Sequence, residues 1–91
     1  YIANAQTGII RGHVIDKQSE IPLAGATIEL LNIEQKIGVI TDMDGYFTLK
    51  KVPLGRQTIR VSFIGFESIT LPNIVVTSGK DAVVNIALIE S

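Results

Sequence analysis

The spacing of apolar stretches and turn residues constrains this chain more than any other feature of its sequence. From residue 9 onward, apolar stretches of strand length alternate with glycine, proline, asparagine and aspartate, which is typical of antiparallel sandwiches and barrels. In residues 57–64, Ile59, Val61 and Phe63 alternate with other side chains, as in a strand with one buried face. Isoleucine, valine and threonine fill 30 of the 91 positions, and their branched side chains favour sheet. The sequence therefore predicts one small all-β domain.

Seven strands are predicted from this pattern. They cover residues 9–15, 24–31, 38–41, 46–50, 57–64, 68–76 and 82–89, the sixth being interrupted near Pro72-Asn73. The second is ambiguous because Ala26 and Leu30 also fit a helical stripe, but Gly25 and two β-branched residues weaken a helix there, so we predict a strand. The residues expected to point inward include Phe47, Leu49, Val84, Ile86 and Leu88.

Two turns are predicted from local sequence. Asp42-Met43-Asp44-Gly45 follows the third strand, and we expect it to close a hairpin, with aspartate bonding to the backbone and glycine supplying a positive φ. Val52-Pro53-Leu54-Gly55 follows the fourth strand, and its proline presets φ for a second turn.

Residues 1–8 are expected to form a flexible segment ahead of the sandwich. Ala3-Asn4-Ala5 places small residues where signal peptidase requires them. The segment is interpreted as the remnant of an export signal, with a frayed terminus as the alternative.

Charge and hydropathy exclude two classes of partner. Eight basic residues against nine acidic ones give a net charge of −1, which lacks the excess needed to neutralise phosphates, so nucleic acid is not an expected partner. Charges interrupt every apolar stretch well short of the roughly 18 to 20 residues that a membrane helix needs, so no direct membrane insertion is expected. The absence of cysteine leaves the compartment open.

Few residues offer chemistry. His13 is the only imidazole, so a catalytic triad or a multi-histidine metal site would depend on one side chain. Asp42-x-Asp44-Gly45 is similar to the opening of a calcium loop, but no series of oxygen ligands follows it. A glycan platform would rest on Tyr46 and Phe66 alone. We therefore expect no catalytic residue, no metal and no cofactor, with weak cation or glycan binding as the alternative.

Five short motifs in fixed order resemble a known family, the carboxypeptidase regulatory-like domain. They are Gly12-His13-Val14-Ile15-Asp16, Pro22-Leu23-Ala24-Gly25-Ala26-Thr27-Ile28, Thr41-Asp42-Met43-Asp44-Gly45-Tyr46-Phe47, Val52-Pro53-Leu54-Gly55 and Val61-Ser62-Phe63-Ile64-Gly65-Phe66. Each is weak alone, but their order is specific. The resemblance implies a transthyretin-like (prealbumin-like), seven-stranded antiparallel Greek-key sandwich over residues 9–91, acting as a non-catalytic module.

The resemblance also implies two settings. The family is found beside metallocarboxypeptidase domains and at the N-terminus of TonB-dependent outer-membrane receptors. The signal remnant, the Leu71-Pro72-Asn73-Ile74-Val75-Val76 pattern and the end of the chain near a receptor's TonB-contacting segment favour the receptor. The expectation is an accessory domain on the periplasmic side of the outer membrane of a Gram-negative bacterium, contacting a protein partner or the plug and barrel of its own receptor. The alternatives are an accessory domain of a secreted metallocarboxypeptidase or other envelope protein, and a small-ligand or glycan-binding module.

The motif residues are expected to have structural roles and to bind no ligand. They are Gly12, Asp16, Pro22, Gly25, Thr41, Asp42, Asp44, Gly45, Phe47, Gly55, Gly65 and Phe66. Gly25 and Gly45 are expected where a Cβ would be crowded, and both aspartates are expected to hold their turn. Strands 68–76 and 82–89 carry no charge before Glu90, which has two interpretations. Either both strands are interior to their sheets and the lack of charge reflects burial, or at least one of them lies at an unpaired edge that accepts a further strand from a partner.

Overall fold

The fold is a two-layer β-sandwich of seven strands, seen in a computed structural model that describes residues 6–34 and 36–91. The strands are β1 (Thr7–Asp16), β2 (Thr27–Leu30), β3 (Gly38–Ile40), β4 (Tyr46–Pro53), β5 (Gly55–Ser62), β6 (Ile69–Val76) and β7 (Ala82–Leu88). The all-β prediction is confirmed, and no helix among the described residues is long and apolar enough to cross a membrane. The β1 strand includes Thr7 and Gly8, which were expected in the flexible segment, whereas Ala3-Asn4-Ala5 lies outside the described residues.

The strands form two sheets around one core. Sheet A has the order β4-β1-β7, and sheet B has the order β3-β2-β5-β6. All pairs are antiparallel except β1 with β7, which is parallel. This parallel pair departs from the predicted antiparallel arrangement. A parallel pair needs a long connection between its strands, and here the connection is residues 17–81, which contain β4 and all four strands of sheet B.

Alternation along the strands fills the space between the sheets. In β5, Ile59 and Val61 are fully buried, whereas Phe63 just beyond the strand is only partly buried. Ile28 and Leu30 in β2, and Ala26 just before it, are buried at every second position, as in the strand alternative and not the helical one. The other buried apolar residues are Ile10, Val14, Leu23, Phe47, Leu49, Val52, Val76, Ile86 and Leu88.

The predicted hairpin of the third and fourth strands is wrong. The turn itself closes, since the Gly45 N–H donates to the Asp42 carbonyl oxygen at 3.0 Å. Beyond it, β3 pairs with β2 in sheet B and β4 pairs with β1 in sheet A. Residues 42–45 therefore form a crossing between the sheets. A second crossing follows at once, because β4 ends at Pro53 in sheet A and β5 begins at Gly55 in sheet B.

Candidate functional site

The single histidine is held by structural contacts. The His13 Nε2–H donates to the Asp44 carbonyl oxygen at 2.8 Å, and the ring stacks on Tyr46 with centroids 4.2 Å apart and planes 18° apart. These contacts attach the start of β4 and the 42–45 turn to β1. Within residues 6–34 and 36–91, no three histidine, cysteine, aspartate or glutamate side chains form a group able to hold a metal ion.

The Asp-x-Asp-Gly segment is organised as a turn. The Asp42 carboxylate accepts the backbone N–H groups of Asp44 and Tyr46, both at 2.9 Å. This is the local bonding that favours aspartate at the start of turns. Asp44 contributes its backbone, through its N–H and through its carbonyl bond to His13. The turn is thus held by one aspartate side chain, whereas both were expected to hold it.

Gly45 lies where a side chain has no room. Its φ is +81°, and a Cβ there would lie 2.6 Å from the Val14 carbonyl oxygen and 3.1 Å from Pro22 Cβ. The Gly45 carbonyl in turn accepts the Val14 N–H at 2.8 Å. The turn therefore packs tightly against β1 and against the loop that contains Pro22.

Thr41 fixes the other side of this crossing. It is buried, and its hydroxyl donates to the Leu23 carbonyl oxygen. The Thr41 Oγ1 atom also accepts the Ala26 N–H at 2.9 Å. The Thr41 backbone N–H also donates to the Ala26 carbonyl oxygen. Thr41 is thus bonded to Ala26, directly before β2 of sheet B, and four residues later Gly45 is bonded to Val14 of β1 in sheet A. The chain changes sheets between these two anchors.

Asp16 and Pro22 organise the loop that leaves β1. The Asp16 carboxylate accepts the Gln18 N–H and the Ser19 hydroxyl, each at 3.0 Å. Pro22 forms an isolated antiparallel bridge with Ile15. Both residues therefore turn the chain back along the end of β1.

The other motif glycines have different surroundings. A Cβ at Gly12 would overlap the Val84 carbonyl oxygen and lie 2.8 Å from the Phe47 ring, so the buried ring requires this glycine. A Cβ at Gly25 would meet only the Phe63 ring, at 4.0 Å, and the expected crowding there is absent. A Cβ at Gly55 would have no neighbour within 4 Å.

The two aromatic residues considered for glycan binding are not brought together. Tyr46 stacks on His13 with 56% of its surface exposed. Phe66 packs instead against Phe63, with centroids 5.5 Å apart and planes tilted by 58°, and is partly buried against the core. Tyr46 and Phe66 therefore do not build one platform.

Both charge-free strands lie at sheet edges, so the alternative that both are interior is wrong. The four edges differ in how they are protected. The β3 edge has three residues. The β4 edge has a bulge in which Lys50 and Lys51 oppose one β1 residue, with φ +59° at Lys51. The β6 edge has a bulge at Pro72 and Asn73, with φ +61° at Asn73. These are devices that block further strand pairing.

The β7 edge has none of these devices. It runs for seven residues, AVVNIAL, with no proline and no charge, and its register with β1 is continuous. It is therefore the described edge best suited to accept another strand.

Charge is divided between the two ends of the sandwich. We call the end where β1 and β7 finish the acidic end, because it holds six of the nine acidic residues and one of the eight basic ones, Lys17. The six are Asp16, Glu20, Asp42, Asp44, Glu67 and Glu90. The opposite end is the basic end, with Lys36, Lys50, Lys51, Arg56 and Lys80 against Glu34 and Asp81. The net charge of −1 conceals this separation.

Comparisons with known proteins agree with this architecture. A family model described as carboxypeptidase regulatory-like domain matches residues 9–89. No curated protein sequence matches the chain.

Three solved structures illustrate how widely the sandwich recurs. A chain of a type II cohesin–X-dockerin complex from Acetivibrio cellulolyticus has 22% identity and TM-score 0.70, over 87% of this chain and 52% of that one. BcpA, the major pilin subunit of Bacillus cereus, has 16% identity and TM-score 0.70, over 94% and 31%. Hydroxyquinol 1,2-dioxygenase from Pseudomonas putida DLL-E4 has 9% identity and TM-score 0.76, over 99% and 58%. The chain thus spans between 31% and 58% of the three matched chains, and the likeness shows the fold alone.

Proposed function

The chain belongs to the carboxypeptidase regulatory-like domain family, and from this we propose that it is a non-catalytic accessory domain that acts through protein contacts. The observation that carries the proposal is that residues of the family motifs stabilise the fold. Thr41, Asp42 and Gly45 hold the crossing between the sheets, and His13 is bonded and stacked against the same crossing. The side chains of His13, Thr41 and Asp42 are thus engaged in the fold, and we infer that edges and loops form the functional surface.

The similar structures support a contact role. One is part of a cohesin–X-dockerin complex and another is a pilin subunit, so related sandwiches occur in proteins that assemble with others. A fold alone does not carry function, but the free β7 edge of this chain offers a surface for such a contact and adds to the evidence from the motifs.

We further propose that the contacts are made on the periplasmic side of the outer membrane of a Gram-negative bacterium, as part of a TonB-dependent receptor in nutrient uptake. The support is the order of the five motifs together with the Leu71-Pro72-Asn73-Ile74-Val75-Val76 pattern. An accessory domain of a secreted metallocarboxypeptidase is the competing setting within the same family.

Cell fractionation tests this setting. An antibody raised against the 91-residue domain is used to blot outer-membrane, periplasmic and secreted fractions of the source bacterium. We expect a band much larger than 9.8 kDa in the outer membrane. It should resist protease in intact cells and be cleaved once the outer membrane is permeabilised.

The competing setting gives different results. A secreted or periplasmic band whose immunoprecipitate releases C-terminal amino acids from peptides would identify the peptidase setting. A cytoplasmic band would contradict both settings.

A further inference from the structure

The free backbone groups of β7 can be assigned from its pairing with β1. The Leu88 carbonyl oxygen accepts the Lys17 N–H at 2.9 Å, so the backbone groups of Leu88 face β1. Backbone groups of successive residues in a strand point to opposite sides. Those of Val83, Asn85 and Ala87 therefore face the open edge. Each offers one N–H and one C=O to a further strand.

An apolar seam lies beside this edge. The edge strands β6 and β7 lie on the same side of the sandwich and contact each other. The partly buried apolar residues of these two strands pack on the core, and we take them as the sides of the seam between β6 and β7; they are Ile69, Leu71, Ile74, Ala82 and Val84. A strand added to β7 would direct every second side chain toward this seam.

Charge distinguishes the two ends of the edge. At the end of β7, Asp16 pairs with Leu88, Glu90 bridges to Phe66, and the Glu67 N–H donates to the Ile89 carbonyl oxygen. Lys80 and Asp81 precede the strand at the basic end, and the Asp81 carboxylate is paired there with Arg11 at 3.2 Å, so this end carries no acidic excess. Antiparallel pairing, the more stable mode per residue, would place the first residues of an added strand beside the carboxylates. Basic residues are favoured there.

We infer that the β7 edge binds an extended segment of a partner protein, antiparallel to β7, with basic residues ahead of a short stretch in which every second side chain is apolar. Val83, Asn85 and Ala87 supply the backbone hydrogen bonds, the seam takes the apolar side chains, and the acidic end attracts the basic residues. The inference specifies the contact surface of the proposed function and rests on it.

A second copy of the chain fits this surface less well. The inward side chains of β7, Ile86 and Leu88, are already buried in their own core, at 3% and 0% exposure. A second copy paired through β7 could add backbone hydrogen bonds but could not place apolar side chains in the seam. A separate extended segment can do both.

A tethered peptide tests the inference. The sequence Lys-Lys-Thr-Val-Thr-Val-Thr is fused after Ser91 through a short glycine–serine linker, which gives an effective concentration in the millimolar range. The matched control carries Thr-Thr-Val-Val-Thr-Lys-Lys, which has the same composition without the alternation. Hydrogen exchange is followed by NMR at the amides of Val83, Asn85 and Ala87.

We expect the alternating peptide to slow exchange at these three amides by about tenfold or more relative to the control fusion. Asn85→Pro in the alternating fusion removes an edge N–H and should abolish the slowing at Val83 and Ala87. Asn85→Ala keeps the N–H and should preserve the slowing. Since the two fusions are compared without any substitution, the test does not depend on the folding of Asn85→Pro.

Two results would overturn the inference. One is equal exchange at the three amides in both fusions. The other is a dimer of the unfused domain, seen by sedimentation, in which the same amides are already protected, because the occupant would then be a second copy. Either result can occur whatever the cell fractionation shows, so this failure is separable from failure of the proposed function.

Discussion

Two turns at the acidic end contain the same kind of glycine in different surroundings. Gly45 ends the 42–45 turn with φ +81°, and Gly65 lies in the 63–66 turn with φ +85°. The second turn is closed by the Phe66 N–H, which donates to the Phe63 carbonyl oxygen at 3.0 Å. Gly45 is the fourth residue of its turn and Gly65 the third, but a positive φ favours glycine at either position. The backbone requirement is therefore similar at both sites.

The neighbours of the two glycines differ. A Cβ at Gly45 would approach the Val14 carbonyl oxygen to 2.6 Å, whereas a Cβ at Gly65 would have no neighbour within 4 Å. Ile64, beside Gly65, is 90% exposed. A glycine in a family motif can thus reflect a backbone angle alone or an angle combined with close packing, and only the second kind joins distant parts of the fold.

The largest effect is expected for Gly45→Val. Strain at positive φ costs about 1 to 3 kcal/mol, and overpacking against β1 adds about 1 to 3 kcal/mol, so the free energy of unfolding should fall by about 2 to 6 kcal/mol. Chemical denaturation followed by circular dichroism measures this fall. If the valine variant does not fold, Gly45→Ala provides a milder form of the same test. An unchanged free energy of unfolding would contradict the tight packing of Gly45 against β1.

Gly65→Val is the matched substitution without the packing cost. We expect a loss of about 1 to 3 kcal/mol from positive φ alone, because the new side chain extends into open space. The difference between the two valine variants then isolates the contribution of packing at Gly45. Equal losses in the two variants would show that the contacts of Gly45 with β1 add nothing.

Asp42→Ala should have a moderate effect on the crossing. It removes the acceptor of two backbone N–H groups, those of Asp44 and Tyr46. Loss of a comparable capping bond costs about 0.5 to 2 kcal/mol, and because water replaces part of the bond at this exposed site, we expect a loss of about 1 kcal/mol. Asp42→Asn keeps an acceptor oxygen and should retain most of the stability. A similar loss in both variants would assign the effect to charge instead of hydrogen bonding.

The strands could be predicted from sequence because alternation is local. Whether Ile59 and Val61 face inward depends on residues two positions away, and both are fully buried as predicted. The same holds for Ile28 in β2. Strand existence and facing thus follow from a short window of sequence.

Strand pairing could not be predicted in the same way. The 42–45 turn has the sequence of a hairpin, but the partners that separate β3 from β4 are distant in the chain. Thr41 bonds to Ala26, 15 residues earlier, and Asp44 bonds to His13, 31 residues earlier. A turn sequence specifies how the chain reverses, whereas these distant bonds decide which sheet each strand joins.

Which sheet edges are protected could not be predicted from the sequence either. The sequence indicates that residues 68–76 and 82–89 lack charge, and it shows an interruption at Pro72-Asn73. Whether that interruption protects an edge depends on the pairing of β6 with β5, in which Pro72 and Asn73 oppose one residue. The contrast between a protected β6 and an unprotected β7 therefore emerges only when the sheet order is known.

The smallest effect is expected for Asp44→Ala, which tests the division of roles within the 42–45 turn. Asp44 is exposed, like Asp42, and its contacts to Asp42 and His13 use backbone atoms that alanine retains. We expect a change within about 0.5 kcal/mol, the range of surface substitutions away from special features. The His13 ring should keep its stacking on Tyr46, which its NMR chemical shifts would report. A loss as large as that of Asp42→Ala, measured in the same denaturation series, would mean that the Asp44 carboxylate has a partner in solution and that both aspartates hold the turn.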